Sequence, residues 1–204
     1  MTRTLLAPEV VQTSAMDCGP AALKCLLDGH GLRVNYGRLR DACQTDVDGT
    51  SIDTMEVLAN QLGLPAEQIL IPADHVLLPA AAALPAIAVV TLAERQTHFV
   101  VIWRRHGLFV QVMDPASGRR WLTAPQLQSE LYLHRATVPA ADWRAWAASE
   151  DFSRAMRQRL EHLGLSANQA TGALATASAD AGWQSLARLD AAARLAQAVI
   201  DAGG

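Results

Sequence analysis

Cysteine is scarce in this sequence, with Cys18, Cys25 and Cys43 the three examples in 204 residues. No secretory signal opens the chain, so these thiols do not read as a disulfide framework and point to a reducing compartment, the cytosol. An excess of one charge is also missing. Twenty acidic residues against 17 Lys and Arg give a formal net charge of −3 with no block of like charge, which argues against nucleic acid as a partner. An uncharged stretch from Val76 to Ala93 approaches membrane-helix length, but Pro79 and Pro85 interrupt it. It reads as a connecting loop followed by a buried strand over Ala86 to Leu92, and no membrane span is expected within this chain. A phosphate-binding glycine loop, a zinc-type pairing of Cys and His, and a Gly-x-Ser-x-Gly elbow are all lacking. Asp46, Asp48 and Asp53 surround Gly49 without the spacing or terminal Glu of a calcium loop, and read as caps and solvated turns.

What is present is an apolar half of the composition, enough for one packed domain and an appendage. Asp17 is a candidate N-cap for a helix whose apolar face is Leu23, Leu26 and Leu27, ended by Gly29-His30-Gly31. Asn35 can start a second helix with Tyr36, Leu39, Ala42 and Cys43 on its buried side. Ser51 can cap a third, lined by Ile52, Met55, Leu58, Ala59 and Leu62 and stopped by Gly63. From Gln68 the pattern changes to short runs: Gln68–Ile71, Ala86–Leu92, Thr97–Trp103, Leu108–Met113 and Arg119–Leu122, with hairpin connections at Arg104–Gly107 and Pro115–Gly118. Helices followed by an antiparallel sheet predict an α+β domain in two layers, the first helix lying on the sheet. Beyond Pro139 alanine dominates, and helices are expected over Trp143–Leu163 and Ser178–Ile200. The stripe Leu186, Leu189, Ala193 and Ala196 or Gln197 is expected to pack on something outside this tail.

Cys18 stands where that first helix begins. Free N–H groups and the helix dipole favour a thiolate there, although an isolated cysteine is more often a core residue, as Cys25 and Cys43 are read. Gln12 lies six residues upstream on an extended lead-in, from which its amide could donate to an oxyanion together with the Cys18 N–H. Among six histidines, His98 opens a strand, so it can meet a helix N-terminus packed on the sheet and serve as a base. Asp114 follows sixteen residues later, one hairpin away, where its carboxylate could accept the imidazole Nδ1–H. Asp-Pro followed by Gly is equally an ordinary turn.

The combination of Gln12-Thr-Ser-Ala-Met-Asp-Cys18-Gly-Pro-Ala-Ala, the Asp48-Gly-Thr-Ser51 turn, Thr97-His98-Phe-Val-Val and Asp114-Pro115 resembles one known family. These are the bacteriocin-processing, double-glycine leader peptidases, papain-like cysteine peptidases found at the N-terminus of peptidase-containing ABC transporters. The resemblance covers about Pro8 to Val138 and implies a papain-like fold at residues 1–139, with 140–204 a helical extension or linker towards a transmembrane domain. It implies Cys18 as nucleophile, His98 as general base and acid, Asp114 as its orienting partner and Gln12 as oxyanion donor.

The implied activity is cleavage of a leader peptide after a Gly-Gly pair, coupled to export of the cargo. No cofactor is expected in this domain; ATP and Mg belong to an ATP-binding domain expected to follow, with membrane-spanning segments, in a full-length homodimer. The fragment is expected to be soluble, at the cytoplasmic face of a bacterial membrane. Two rivals remain open on the residues alone: a catalytically silent domain that docks export substrates, and another papain-like activity such as amide transfer or deamidation.

Overall fold

Helices come first because their capping signals come first. The computed structural model describes residues 3–45, 49–93, 96–135 and 137–203; Asp46 and Asp48, placed above in solvated turns and in the family pattern, lie outside the described residues. Helix α1 spans Cys18–Gly29, α2 Tyr36–Ala42 and α3 Ile52–Gln61. The Asn35 side chain accepts the Arg38 N–H at 3.1 Å, and Ser51 Oγ accepts the Thr54 N–H at 3.1 Å, so both expected caps form. Asp17 occupies the capping position of α1 without capping it. Its carboxylate turns away from the helix to other partners, so the first turn of α1 keeps its N–H groups for other use.

Packing corrects several expected faces. Helix α1 is buried on two sides: Leu23 and Leu27 pack with Leu39 and Cys43 of the α2 region and with Met55 and Ala59 of α3, while Ala21, Ala22 and Cys25 face the sheet. Ala42, Ile52 and Leu62, assigned to apolar faces, are exposed at the ends of short helices. Gln68–Ile71 is not a strand. Gln68 Nε2 instead donates to Asp53 Oδ1 (2.7 Å) and Glu56 Oε2 (2.6 Å), fastening this stretch to α3 as a loop with Ile69 and Leu70 exposed.

Four strands, β1 Ala86–Thr91, β2 Thr97–His106, β3 Phe109–Asp114 and β4 Gly118–Thr123, form an antiparallel sheet in chain order. Along β2, Val101 and Trp103 join α1 and the N-terminal lead-in, while Val100 and Ile102 pack with Val110, Val112, Leu122 and Leu127 on the opposite face. Both faces are covered. The domain therefore has three layers where two were expected, because Val76, Leu77 and the helix α4 (Ala124–Glu130) close the second face. Helix α4 is announced by a capping box that the pattern reading passed over: Thr123 and Gln126 bond reciprocally, with Pro125 in the first turn. Strand β1 is half-buried, not buried as expected, since it forms a sheet edge covered over Val89–Val90 by Leu131 and Tyr132.

The chain folds as two compact units, Met1–Leu77 with Ala83–Leu133, and Leu78–Ala82 with His134–Gly204. In the second, α5 Ala140–Ala147, α6 Glu150–His162, α7 Ala167–Ser178 and α8 Gln184–Gly203 share a core of Phe152, Met156, Leu160, Leu174 and Leu186. The expected long helix over Trp143–Leu163 is thus two helices, divided where Ser149 takes the extended conformation that begins α6. Helix α7 was missed, although Ser166 and Gln169 make a capping box like that of α4. Leu186, Leu189 and Ala193 pack within this unit and not outside it; Ala196 is exposed. No helix among the described residues is long and apolar enough to cross a membrane.

Helix α1 lies close against β2 at Gly29, where an added Cβ would overlap the Trp103 indole. We expect Gly29→Ala to lose about 1–3 kcal/mol by overpacking, offset by up to about 1 kcal/mol of helix propensity. Urea unfolding measures the net effect, and a midpoint at or above wild type would mean that the indole yields without cost.

Candidate active site

Three of the four residues singled out in the sequence meet at one end of the sheet. Cys18 is the first residue of α1, His98 the second of β2 and Asp114 the last of β3. The next residues explain how the sulfur is placed. Gly19 packs against Thr50, and any Cβ there would come within 2.8 Å of Thr50 Cβ, so only glycine lets the first turn sit this low. Pro20 contributes no N–H, which a first helical turn does not need.

The His98 ring lies between the sulfur and the carboxylate. Its Nε2 is 2.9 Å from Asp114 Oδ1, so the carboxylate engages Nε2 and not the Nδ1 that the hairpin argument assigned. Register accounts for the correction. Continuing the pairing Val101↔Met113 would set His98 opposite Ala116, which makes Asp114 a diagonal neighbour that the distal ring nitrogen reaches. Nδ1 is left as the nitrogen available to Cys18.

Burial pushes the Cys18 thiol up, but hydrogen bonds with His98 and from the Phe99 and Gly19 N–H groups outweigh it and hold the thiol below its ordinary 9.0. The Phe99 N–H is free for this because the β2–β3 ladder stops at Val101. Asp114, followed by Cys18, raises His98 to about 9 against the opposing effect of burial. Burial also raises Asp114, yet His98 and the Ala116 N–H bring it down to about 2. The functional and turn readings of Asp114 are both right: its Oδ1 accepts the Ala116 N–H at 2.8 Å as an Asp-initiated turn does, and the His98 ring as well. Between the thiol's lowered pKa and about 9, thiolate and imidazolium coexist. By contrast, burial drives Cys25 up to about 12 and Cys43 to about 11, as befits core residues.

Gln12 joins this group through the backbone, its N–H donating to Pro115 O at 2.9 Å, directly after Asp114. Its Oε1 is buried with no hydrogen-bond partner among the described residues, so this side chain is not a solvated surface amide. The lead-in that carries it is stitched to the sheet, with Ala7 N–H donating to Gln111 Oε1 (2.7 Å) and Arg119 donating to Ala7 O (2.7 and 3.1 Å). The other histidines of this unit are elsewhere: His30 pairs with Leu26 O after α1, His75 is buried in a short 3-10 turn, and His106 meets Trp121 edge to face at the far end of β2.

Sequence reasoning missed Arg120. Its NH1 lies 3.4 Å from Asp114 Oδ2, and its two terminal nitrogens grip Glu130 of α4 at 2.6 and 3.1 Å. Arg120 pairs with Val112 across β3–β4, so the strand register carried the signal, had it been written out. No group of His, Cys, Asp and Glu among the described residues could hold a metal ion. The arrangement sets a thiol of lowered pKa, an imidazole and an anchored carboxylate in sequence, groups that can carry out acyl transfer.

Residues 7–133 match the model of the peptidase C39 family. The chain belongs to that family. C39 peptidases are cysteine peptidases, a chemistry that in general needs no cofactor, and the helical layers around an antiparallel sheet are the papain-like C39 fold. Over 121 residues the chain is 28% identical to the lactococcin-G-processing and transport ATP-binding protein LagD of Lactococcus lactis subsp. lactis, an alignment taking in 59% of this chain. It spans 17% of that relative's length. Among solved structures, the double-glycine-motif protease from an AMS/PCAT transporter, in complex with the leader peptide, superposes with a TM-score of 0.52 at 21% identity, over 61% of this chain and 85% of that one. The peptidase domain of Streptococcus ComA, described as a bi-functional ABC transporter involved in quorum sensing, gives a TM-score of 0.52 at 26% identity, over 60% and 90%.

The candidate site makes a signed pH prediction. Alkylation of Cys18 by iodoacetamide should follow a thiolate midpoint below 9.0, while Cys25 and Cys43 stay unlabelled in the folded protein at neutral pH. In His98→Ala the burial effect is no longer opposed by the imidazole, and the midpoint should rise. Equal labelling of all three thiols, or an unchanged midpoint in the variant, contradicts the site. His98 likewise contributes stability that is complete below its ordinary 6.5 and lost as pH rises through about 9. Asp114 contributes stability present above 3.8 and lost as pH falls through about 2.

Proposed function

We propose that this chain carries a cysteine endopeptidase that cuts leader peptides after a Gly-Gly pair as their cargo is exported. The observation that carries the reading is a thiol held below its ordinary pKa at the start of α1, beside an imidazole raised to about 9 by Asp114. In this reading the Cys18 thiolate attacks the carbonyl carbon of the second glycine, forming the C–S bond. The resulting oxyanion is held by the Gln12 amide and the Cys18 N–H. His98, protonated on the nitrogen facing the sulfur, gives that proton to the leaving amine as the C–N bond breaks. Water then attacks the thioester, losing one proton to the same imidazole as the C–S bond breaks; the leader leaves as a carboxylic acid and the thiolate–imidazolium pair is regenerated. Asp114 keeps the ring oriented through Nε2 and stabilises the imidazolium, with Arg120, itself held by Glu130, on its other oxygen.

The remaining assignments extend from the relatives. Residues 1–139 act as the peptidase domain, and 140–204 as a helical extension towards membrane-spanning and ATP-binding domains of one transporter, where ATP and Mg act. That transporter works as a homodimer, with the peptidase at the cytoplasmic face of a bacterial membrane. The double-glycine leader peptide is the substrate.

Incubation with a panel of Gly-Gly leader peptides tests the activity: cleavage after the pair is expected from wild type and abolished in Cys18→Ala. Binding without Cys18-dependent cleavage would instead identify a docking domain. Gln12→Ala should lower kcat by about 10²–10³-fold, the scale of one oxyanion donor, and unchanged cleavage would remove Gln12 from the site. The kcat/KM profile should be bell-shaped, rising as the Cys18 thiol ionises below 9.0 and falling as His98 deprotonates near about 9.

A further inference from the structure

The residue before the nucleophile is an aspartate whose side chain is 0% exposed. Buried carboxylates are costly unless hydrogen-bonded and paired, so this one invites a reason. Its bonds do not serve the helix that it precedes. Thr13 Oγ1 donates to Asp17 Oδ2 at 2.7 Å, and Arg40 Nε of α2 donates to Asp17 Oδ1 at 2.8 Å. The Asp17 N–H also donates to Ser14 O at 3.2 Å, and Asp17 O accepts the Ala21 N–H at 3.0 Å.

These bonds close a short loop at both ends. Thr13 adjoins Gln12, whose own N–H is fastened to Pro115 O beside Asp114; Asp17 adjoins Cys18. The loop 13–17 is thus the covalent bridge between the two proposed oxyanion donors, and the bond from Thr13 to the Asp17 carboxylate ties its two ends together. Arg40 anchors that carboxylate to the helical layer while remaining 49% exposed, so it keeps part of its own hydration. Burial pushes the Asp17 carboxyl up, but hydrogen bonds from the Thr13, Ser14 and Arg40 side chains outweigh it and hold the group below its ordinary 3.8.

We infer that Asp17 is a positioning residue that, bound between Thr13 and Arg40, fixes the Gln12 amide relative to the Cys18 N–H and so assembles the oxyanion hole. The inference rests on the reading of Gln12 as oxyanion donor. Loss of the Thr13 bond lets the loop lengthen, and a misplacement of about 1 Å can cost on the order of 10²-fold in rate. The thiolate should be spared, because Asp17 is not among the groups that lower the Cys18 pKa.

Two reactions of the same sulfur separate this role from a structural one. Peptide cleavage passes through an oxyanion; alkylation by iodoacetamide does not. In Asp17→Asn, kcat on a Gly-Gly leader peptide should fall by about 10²-fold with KM within about twofold, while the alkylation rate and its pH midpoint match wild type. In a Gln12→Ala background the same substitution should cause no further loss. Thr13→Val, at an exposed position, removes the bond from its other end and should give the same pattern with a smaller loss, which decides the matter if Asp17→Asn does not fold. Cleavage at the wild-type rate in the folded variant, equal losses of cleavage and alkylation, or a full additional loss in the Gln12→Ala background would each overturn the inference. Failure of wild type to cut would instead remove the function on which it rests.

Discussion

A thiolate needs solvation, and a sulfur placed against the end of a three-layer domain loses much of it. At Cys18 the loss is made good by three groups from two elements: the His98 ring and Phe99 N–H of β2, and the Gly19 N–H of α1 itself. Seven residues along the same helix, Cys25 meets no such donors and burial drives its pKa to about 12. The contrast between the two thiols lies in their position on the helix and in what the sheet presents to each. Nearly every feature of the first unit serves that juxtaposition. Gly29 lets α1 lie against Trp103, Gly19 lets its first turn settle beside Thr50, and the end of β3 leaves Phe99 unpaired on one side.

The imidazole is defined by the same meeting. An antiparallel pair alone would hold His98 and Asp114 on one face of the sheet, but it would not say which ring nitrogen goes to which partner. The diagonal offset in register gives Nε2 to the carboxylate. The carboxylate in turn is held by its own turn and by Arg120, which Glu130 of α4 secures. Helix α4 thereby does two things, closing the second face of the sheet through Leu127 and bracing the acid that orients the histidine.

Much of this was legible from residue type and spacing. Asn35 and Ser51 are caps because their short side chains reach the third N–H of a helix, a local interaction that needs no other part of the molecule. Four strands were legible as short apolar runs bounded by turn residues, the first of them rich in β-branched side chains. Gln68–Ile71 misled because a short apolar run has no period of its own, and whether it pairs depends on a neighbour. The tail misled because capping boxes at Ser166 and the break at Ser149 divide a uniformly alanine-rich composition more finely than propensity does.

By itself the sequence determined the chemical inventory: a cysteine at a helix start, a histidine at a strand start, an aspartate one hairpin later and a glutamine upstream. Local hydrogen bonding and side-chain periodicity carry that information, and both act over a few residues. Tertiary structure alone decided that Asp17 bonds Thr13 and Arg40 instead of capping α1, that Arg120 stands behind Asp114, and that the histidine offers Nε2 to its acid. Those outcomes depend on distances between elements far apart in the chain, which packing sets and no local pattern records.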